Sequence, residues 1–291
     1  MEEKIDLSII IVSYNGEFWL KKTLETLDQF FLQKTALAVE VLLVDNASSD
    51  NVIAMVRENF SWVKIISLEE NKGFAGANNV GIKQARGEYV MLLNPDTQLD
   101  DRSQLERLVA YLREHEEVGM IGPRLVLTDG KLDPACHRGE PTLWAAFCYF
   151  TKLEHLWPHW RLVNGYHRGD LDMASVHAVD AISGAAMMLP ARVIEKIGLL
   201  DEQFFLYAED LDWSRRCREA GYKVIYDPEV VITHHKNKTG IANQDAKISG
   251  RAREYFYDTM LQYYDKYYGE KMPAWVRKIV AGVLFVKKEG I

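Results

Sequence analysis

The chain has 291 residues, 48% of them hydrophobic and 26% charged, which is ordinary for a soluble globular protein and enough to bury a full core. Its formal net charge of −7 excludes a general nucleic-acid binder, whose surface must be basic to offset phosphates, so any anionic ligand has to be held locally. Three widely spaced cysteines, Cys136, Cys148 and Cys217, without a C-x-x-C pair, give neither a disulfide framework nor a zinc knuckle; they fit a reducing cytoplasm, as do the absence of a secretory signal and of any apolar run of roughly 18 residues.

Leu7-Ser8-Ile9-Ile10-Ile11-Val12-Ser13 is a continuous β-branched run of the kind buried on both faces of a parallel sheet, and it stops at Tyr14-Asn15-Gly16. A helix is expected from about Glu17 to Phe31. The pattern then repeats: strand Glu40 to Val44, turn Asp45 to Asp50, helix Val52 to Phe60, strand Val63 to Leu68, a Gly/Asn-rich turn, helix Ala77 to Ala85, strand Tyr89 to Leu93. Alternation with short connections predicts a doubly wound α/β sheet. Neither G-x-G-x-x-G after the first strand nor a P-loop motif occurs, which argues against a dinucleotide oxidoreductase or a P-loop NTPase.

A helix near Asp101 to His115 and a strand near Val118 to Leu127 follow, after which the alternation fails. The aromatic-rich stretch Trp144 to Tyr166 reads either as a helix covering the sheet or as a surface for acceptor or lipid. A second half brings Ile182 to Leu189, an acidic segment, and a strand over Tyr222 to Tyr226. Without an evident linker, residues 1–268 are expected to form one domain, with a nucleotide-binding half over 1–127 and an acceptor half over 128–268.

In open α/β sheets ligands sit outside the carboxyl ends of the strands. Tyr14-Asn15, Asp45-Asn46 and Asn94-Pro95-Asp96 all fall there. Asp45 ends a buried strand, suited to a nucleobase imide or a ribose hydroxyl, with helix capping as the plain alternative. Asp96 is rigidly presented behind a proline, and Mg2+ or Mn2+ favours such oxygen ligands and bridges them to phosphates. The segment Leu206 to Arg216 packs Glu209, Asp210 and Asp212 into four positions. His234 and His235 are adjacent on an extended segment, so at most one faces the site.

Together these pieces resemble a family 2 glycosyltransferase of the GT-A fold, in the subgroup of bacterial rhamnosyltransferases. The resemblance rests on Ile11-Val12-Ser13-Tyr14-Asn15, Val44 to Asp50, Asn71 to Gly81, Leu93-Asn94-Pro95-Asp96, Ser183-Gly184-Ala185 and Phe205 to Asp212, spread over roughly residues 7 to 235. It implies a mixed, mainly parallel sheet flanked by helices, and an inverting, metal-dependent transfer from a nucleotide-diphosphate sugar, dTDP-rhamnose foremost and UDP-sugars next. The implied acceptor is a saccharide or a polyprenyl-linked saccharide.

Carried over residue by residue, the resemblance gives donor contacts from Ser13, Tyr14, Asn15, Asp45, Asn46, Gly73, Asn78, Asn94 and Asp96, and metal ligation by Asp96 and His234. Ser183, Gly184, Ala185 and Glu209 would meet the acceptor. Asp210 would be the catalytic base, with Glu209 able to share that role and Asp212 capping a helix from Trp213 to Ala220. Asn94 departs from the broad family, which has an acid there, although Asn-Pro-Asp is usual in the subgroup. The polar stretch Lys236 to Asp245 reads as a passive loop or as a lid, with Lys236, Lys238 or Arg251 near the diphosphate.

Arg251 to Tyr268 reads as an aromatic helix. In the tail, residues 269–291, Trp275, Ile279, Val283 and Val286 share one helical face, flanked by Lys271, Arg277, Lys278, Lys287 and Lys288. This is either a packed helix or an interfacial one on anionic lipid, the latter putting a cytoplasmic protein peripherally on the inner membrane. A sugar-nucleotide pyrophosphorylase would need a Gly-rich basic loop after the first strand, and a non-catalytic binding module would have lost Asp96 or Asp210. Neither condition holds.

Overall fold

The structure is a computed structural model that describes residues 4–236, 246–270 and 273–289. The stretch Asn237 to Asp245, in which a lid was considered, and Lys271 lie outside the described residues. The first strand, β1 (Leu7–Ser13), is buried along its whole length, as its unbroken apolar run requires. Around it run β2 (Val39–Asp45), β3 (Val63–Ser67) and β4 (Tyr89–Leu93), all parallel to their neighbours in the order β3-β2-β1-β4.

Beyond β4 the sheet becomes mixed. It continues through β8 (Ala186–Pro190), β6 (Val118–Val126), β9 (Lys223–His234) and β5 (Thr97–Gln98), while β7 (His177–Val179) pairs β9 to one side. Because β8 runs antiparallel to β4, with Ala186 opposite Leu93, the segment entering β8 arrives at the edge where β4 ends: the Asn94 amide donates to the Ala185 carbonyl at 2.8 Å. Likewise Ser13 and Asp45 are register partners, and His234 at the end of β9 pairs with Thr97. One sheet edge thus gathers residues far apart in sequence.

The flanking helices are α1 (Glu17–Leu27), α2 (Val52–Asn59), α3 (Gly73–Gln84), α4 (Leu105–Glu114), α5 (Leu143–Phe150), α6 (Leu153–Leu156), α7 (Ala191–Ile197), α8 (Glu209–Glu219), α9 (Ala246–Tyr268) and α10 (Ala274–Glu289). Several boundaries differ from the sequence reading. The helix expected up to Phe31 continues past Leu27 as a π-helical turn over Asp28–Leu32. Helix α3 begins at Gly73, four residues early, so the Gly-rich turn is its first turn. Its glycines serve close packing: a Cβ on Gly81 would lie 2.5 Å from Ile10 Cγ2.

The aromatic stretch Trp144 to Tyr166 is not one helix. It breaks at Lys152, whose φ of 60° is left-handed, into α5 and the single turn α6, and then runs through turns. Helix α8 begins at Glu209 rather than Trp213, so Asp212 caps nothing. It sits buried in the first turn, accepting from Arg216 Nε at 2.8 Å and Tyr267 Oη at 2.5 Å.

Those last contacts belong to the seam that docks the C-terminal helices. Glu140 accepts from Tyr263 Oη at 2.7 Å, Tyr268 Oη at 3.0 Å and Arg215 Nη1 at 2.9 Å, and from Arg218. Beneath this polar seam a second apolar cluster joins Phe204 and Leu211 to Met260, Tyr263 and Tyr264 of α9 and Leu284 of α10. No helix among the described residues is long and apolar enough to cross a membrane.

Candidate active site

At the sheet edge, Asn15 and Ala47 hold left-handed φ angles of 52° and 63° where β1 and β2 end. Asn15 braces the second turn, its Oδ1 accepting from the Ser49 amide at 2.7 Å and its own amide donating to Ser48 Oγ at 3.0 Å. Asp45 is buried and accepts from the Ser48 amide at 3.3 Å, and Ser13 Oγ beside it is buried with no hydrogen-bond partner. Tyr14 is exposed.

Three residues assigned to the donor turn inward. Asn46 donates to Asn71 Oδ1 at 2.9 Å and accepts from the Lys72 amide at 2.8 Å, so its amide shapes the loop before α3. Gly73, at φ 72°, lies where a Cβ would meet the Phe205 carbonyl at 2.4 Å. Asn78 donates to the Phe74 carbonyl at 2.9 Å. Arg251 stands exposed on α9, outside the cavity described next.

A cavity of about 420 Å3 opens at the other side of the edge and brings together Asn94, His234, Ser183, Gly184, Ala185, Glu209 and Asp210. His234 Nε2 faces Asp96 Oδ1 at 3.4 Å, and its Nδ1 lies 2.9 Å from Asp133 Oδ2. Burial disfavours the imidazolium here, but the two carboxylates outweigh it and push His234 up to about 9. Burial likewise opposes the Asp133 charge, yet His234 and Lys236, whose Nζ is 2.8 Å away, hold that carboxyl well below the usual range. His235 points away as adjacency requires, stacking on Trp19 at 4.5 Å between ring centres.

The donor set fits a divalent cation of the Mg2+ or Mn2+ kind. Asp96 and the Nε2 of His234 converge, the Asn94 Oδ1 is buried without a partner, and Asp133 fixes the imidazole from behind in the way carboxylates orient metal-binding histidines. Among the described residues no group of three or more His, Cys, Asp or Glu side chains is arranged to hold a metal. A cation held by Asp96 and His234 would complete its shell with phosphate oxygens and water, as is usual for these ions.

On the far wall of the cavity, Tyr207 and Ala208 take consecutive left-handed φ angles of 71° and 65° immediately before α8. Such backbone is costly for non-glycine residues and clusters at functional sites; here it delivers Glu209 and Asp210 together at the helix N-terminus. Although adjacent in sequence, both line the cavity. Asp210 Oδ2 accepts from Arg138 Nη2 at 2.6 Å and the Gly184 amide at 3.1 Å. Glu209 Oε2 is buried without a hydrogen-bond partner, and burial together with the Asp210 charge pushes its carboxyl up to about 8.

Two of these residues escaped the sequence reading. Asp133 sits before Pro134 in an unpatterned stretch, and Arg138 lies four residues beyond Pro134. A lone acid and a lone arginine outside any regular element carry no local signal. What marks them is burial, since a charged side chain with at most a few per cent exposure survives only when paired; Asp133 is 0% and Arg138 7% exposed.

Comparison with known proteins decides the family. The model of glycosyl transferase family 2 matches residues 8–169. The chain belongs to glycosyl transferase family 2. Among relatives of this glycosyltransferase is the N-acetylglucosaminyl-diphospho-decaprenol L-rhamnosyltransferase of Mycobacterium tuberculosis (strain ATCC 25618 / H37Rv), 27% identical over 79% of this chain and 76% of the relative. Among solved structures, the mannosyltransferase PcManGT from Pyrobaculum calidifontis, in complex with GDP-Man and Mn2+, superposes with a TM-score of 0.62 at 17% identity, covering 98% of this chain and 70% of that one. Residues 1-349 of S. aureus TarS, in complex with UDP-GlcNAc, give 0.59 at 16% identity over 97% and 72%. In a longer TarS structure this chain spans 44% of the length. At these identities the likeness establishes the GT-A fold, as the sequence resemblance implied, with a mixed, mainly parallel sheet between helices.

Proposed function

We propose that this glycosyltransferase moves a hexose, with inversion, from a nucleoside diphosphate to a hydroxyl of a saccharide in bacterial surface-polysaccharide synthesis. L-Rhamnose from dTDP-rhamnose to a polyprenyl-linked saccharide is the first candidate, in keeping with the mycobacterial relative. A UDP-sugar is the second, favoured by the UDP-GlcNAc bound to TarS.

The observation that carries the reading is the division of labour between two adjacent acids in one cavity. Pairs of carboxyls whose environments drive them apart mark acid and base assignments. Asp210, salt-bridged to Arg138, serves as the base that takes the acceptor hydroxyl proton; Glu209, holding its proton at neutral pH, donates a hydrogen bond that orients the same acceptor. Arg138 is a positioning residue that fixes the Asp210 carboxylate against the Gly184 amide. Asp96 and His234 would hold Mg2+ or Mn2+, which when bound neutralises the diphosphate leaving group. Ser13 and Asp45 supply polar groups for the nucleoside end.

The test is a thermal-shift panel of nucleotide sugars with Mn2+, in which a donor at 100 times its dissociation constant stabilises by about 2.7 kcal/mol. With the donor so identified, Asp210→Asn keeps nucleotide affinity near that of the unaltered chain and lowers transfer at least about a hundredfold, the scale of general-base catalysis. More than about a tenth of the original turnover in that variant removes Asp210 from the base role.

A further inference from the structure

Behind Arg138 three segments far apart in sequence are drawn together. The Arg138 amide donates to the Ala181 carbonyl at 3.0 Å and the Gly139 amide to the Tyr166 carbonyl at 2.6 Å, while β7 lies against the start of β9 with His177 opposite Tyr226. His137, one residue before Arg138, is thereby buried against the Tyr226 ring, and the half-buried His177 reaches it from β7. The two imidazoles stand nearly perpendicular and present Nε2 to Nε2 at 2.5 Å.

The other nitrogen of each ring fixes the chemistry of those two atoms. His137 Nδ1 lies 3.3 Å from the His167 carbonyl and His177 Nδ1 2.8 Å from the Ser175 carbonyl. A carbonyl oxygen only accepts, so each Nδ1 carries the ring proton and the Nε2 of each neutral ring is a bare lone pair. Two lone pairs this close repel unless a proton or a cation lies between them. The proton is the poorer choice: burial, the neighbouring His177 and the Arg168 charge hold His137 down to about 4, and burial lowers His177 as well. A transition cation instead makes a coordinate bond to each nitrogen and keeps water on the side where His177 is open. Arg168 does not oppose it unanswered, being paired with Asp170 at 3.0 Å, and the charges of Asp172 and Asp170 favour a positive group at His177.

We propose that His137 and His177 form a binding site for a divalent transition cation of the Zn2+, Ni2+ or Cu2+ kind, separate from the site of Asp96 and His234. The separation follows from the sheet: His177 pairs near the start of β9, whereas His234 closes its far end. Imidazole nitrogen suits these ions, and a backbone carbonyl on the other ring nitrogen is a usual outer partner of a metal-binding histidine. Nitrogens at about 2.0 to 2.1 Å from a tetrahedral ion stand about 3.3 Å apart, so a small tilt of the half-buried His177 ring admits it. The ion would tie the segment that carries Arg138 to β7, and so steady the guanidinium that holds Asp210.

The test uses the full chain, stripped with a chelator and titrated with Zn2+ in a calorimeter near neutral pH under excess Mg2+. One equivalent of Zn2+ is expected to bind and to raise Tm. His177→Gln and His137→Gln should each lower that affinity at least about a hundredfold, the upper end of what losing even an outer partner costs, whereas His234→Ala, at a distant site, leaves it within about twofold. Because His137 is buried and its variant can fail to fold, the unaltered chain is also loaded with Cu2+ and its ligands are read by electron paramagnetic resonance, with two imidazole nitrogens expected. No saturable Zn2+ binding, an affinity unmoved by both histidine substitutions, or a Cu2+ spectrum with fewer than two imidazoles overturns the proposal. Binding lost in His234→Ala and kept in His177→Gln overturns it too, by placing the ion at the sheet edge.

Discussion

Glu209→Gln tests the division of labour in the cavity through stability. In the folded chain burial and Asp210 push the Glu209 carboxyl up from 4.5 to about 8. The native state thus keeps a proton that the unfolded chain has already lost, and stability falls as pH rises from 4.5 towards 8, then levels off. At about 1.4 kcal/mol per pH unit the loss approaches on the order of 4 kcal/mol, an upper limit because the cavity admits water. Glutamine has nearly the same shape and never ionises, so the variant escapes this penalty. Unfolding entropy of about 2.1 cal/mol/K per residue makes 4 kcal/mol worth about 6 °C in a chain of this length. Differential scanning fluorimetry from pH 4.5 to 8.5 should find the two proteins within about 1 °C at the acid end and the variant up to about 6 °C more stable at pH 8. Transfer by the unaltered enzyme should also decline above pH 8 as the Glu209 proton leaves, and Glu209→Gln should remove that decline. A difference in Tm that stays flat across the range would refute the argument, because it would mean that Glu209 ionises in the folded chain as readily as in the unfolded one.

The parts of this molecule legible in its sequence are those whose signal is local. The four parallel strands announce themselves as apolar runs, and their carboxyl ends place Ser13, Asp45, Asn94 and Asp96 along one edge. The start of α3 was hidden because glycine has the poorest helix propensity after proline, whereas the left-handed φ of Gly73 and its close approach to the Phe205 carbonyl demand it. The start of α8 was hidden because Tyr207 and Ala208 adopt a backbone their side chains disfavour, which no propensity anticipates. The same backbone brings the adjacent Glu209 and Asp210 into one cavity. Asp133 and Arg138 are legible only through their partners, His234 and Asp210, which lie 101 and 72 residues away. The tail was read as either a packed helix or an interfacial one; Leu284 is 4% exposed against the second core, while Trp275 and Ile279 on the other face are open.

Three further outcomes follow from the geometry. A metal binding His234 Nε2 must displace the proton held there up to about pH 9, so Mn2+ affinity in the presence of nucleotide should weaken about tenfold per pH unit below that value and vanish in Asp96→Ala; titration calorimetry showing equal affinity at pH 6.5 and 8.5 would contradict it. Gly81→Ala places a Cβ 2.5 Å from Ile10 Cγ2 and 3.2 Å from Val44 Cγ2, an overpacking worth about 1 to 3 kcal/mol, so its Tm should drop by about 2 to 5 °C, and no change would mean that α3 shifts freely on the sheet. The last concerns the outer face of α10. Removing the tail is a poor test of membrane contact, because Leu284 would go with it and the cavity would lose a wall. Trp275→Ser, Ile279→Ser and Val283→Ser together alter only side chains 66%, 56% and 42% exposed, and should lower partitioning onto anionic liposomes at least about a hundredfold if each buried side chain contributes about 1.5 kcal/mol or more. Arg277 is already paired with Asp265 and Lys288 with Asp258, which leaves fewer cations for the lipid than the sequence promised, so raising the salt should weaken binding far less than the triple substitution does. Equal flotation of the triple variant and the unaltered chain would remove α10 from the membrane and leave Trp144, Phe147, Trp157 and Trp160 as the exposed apolar surface to test.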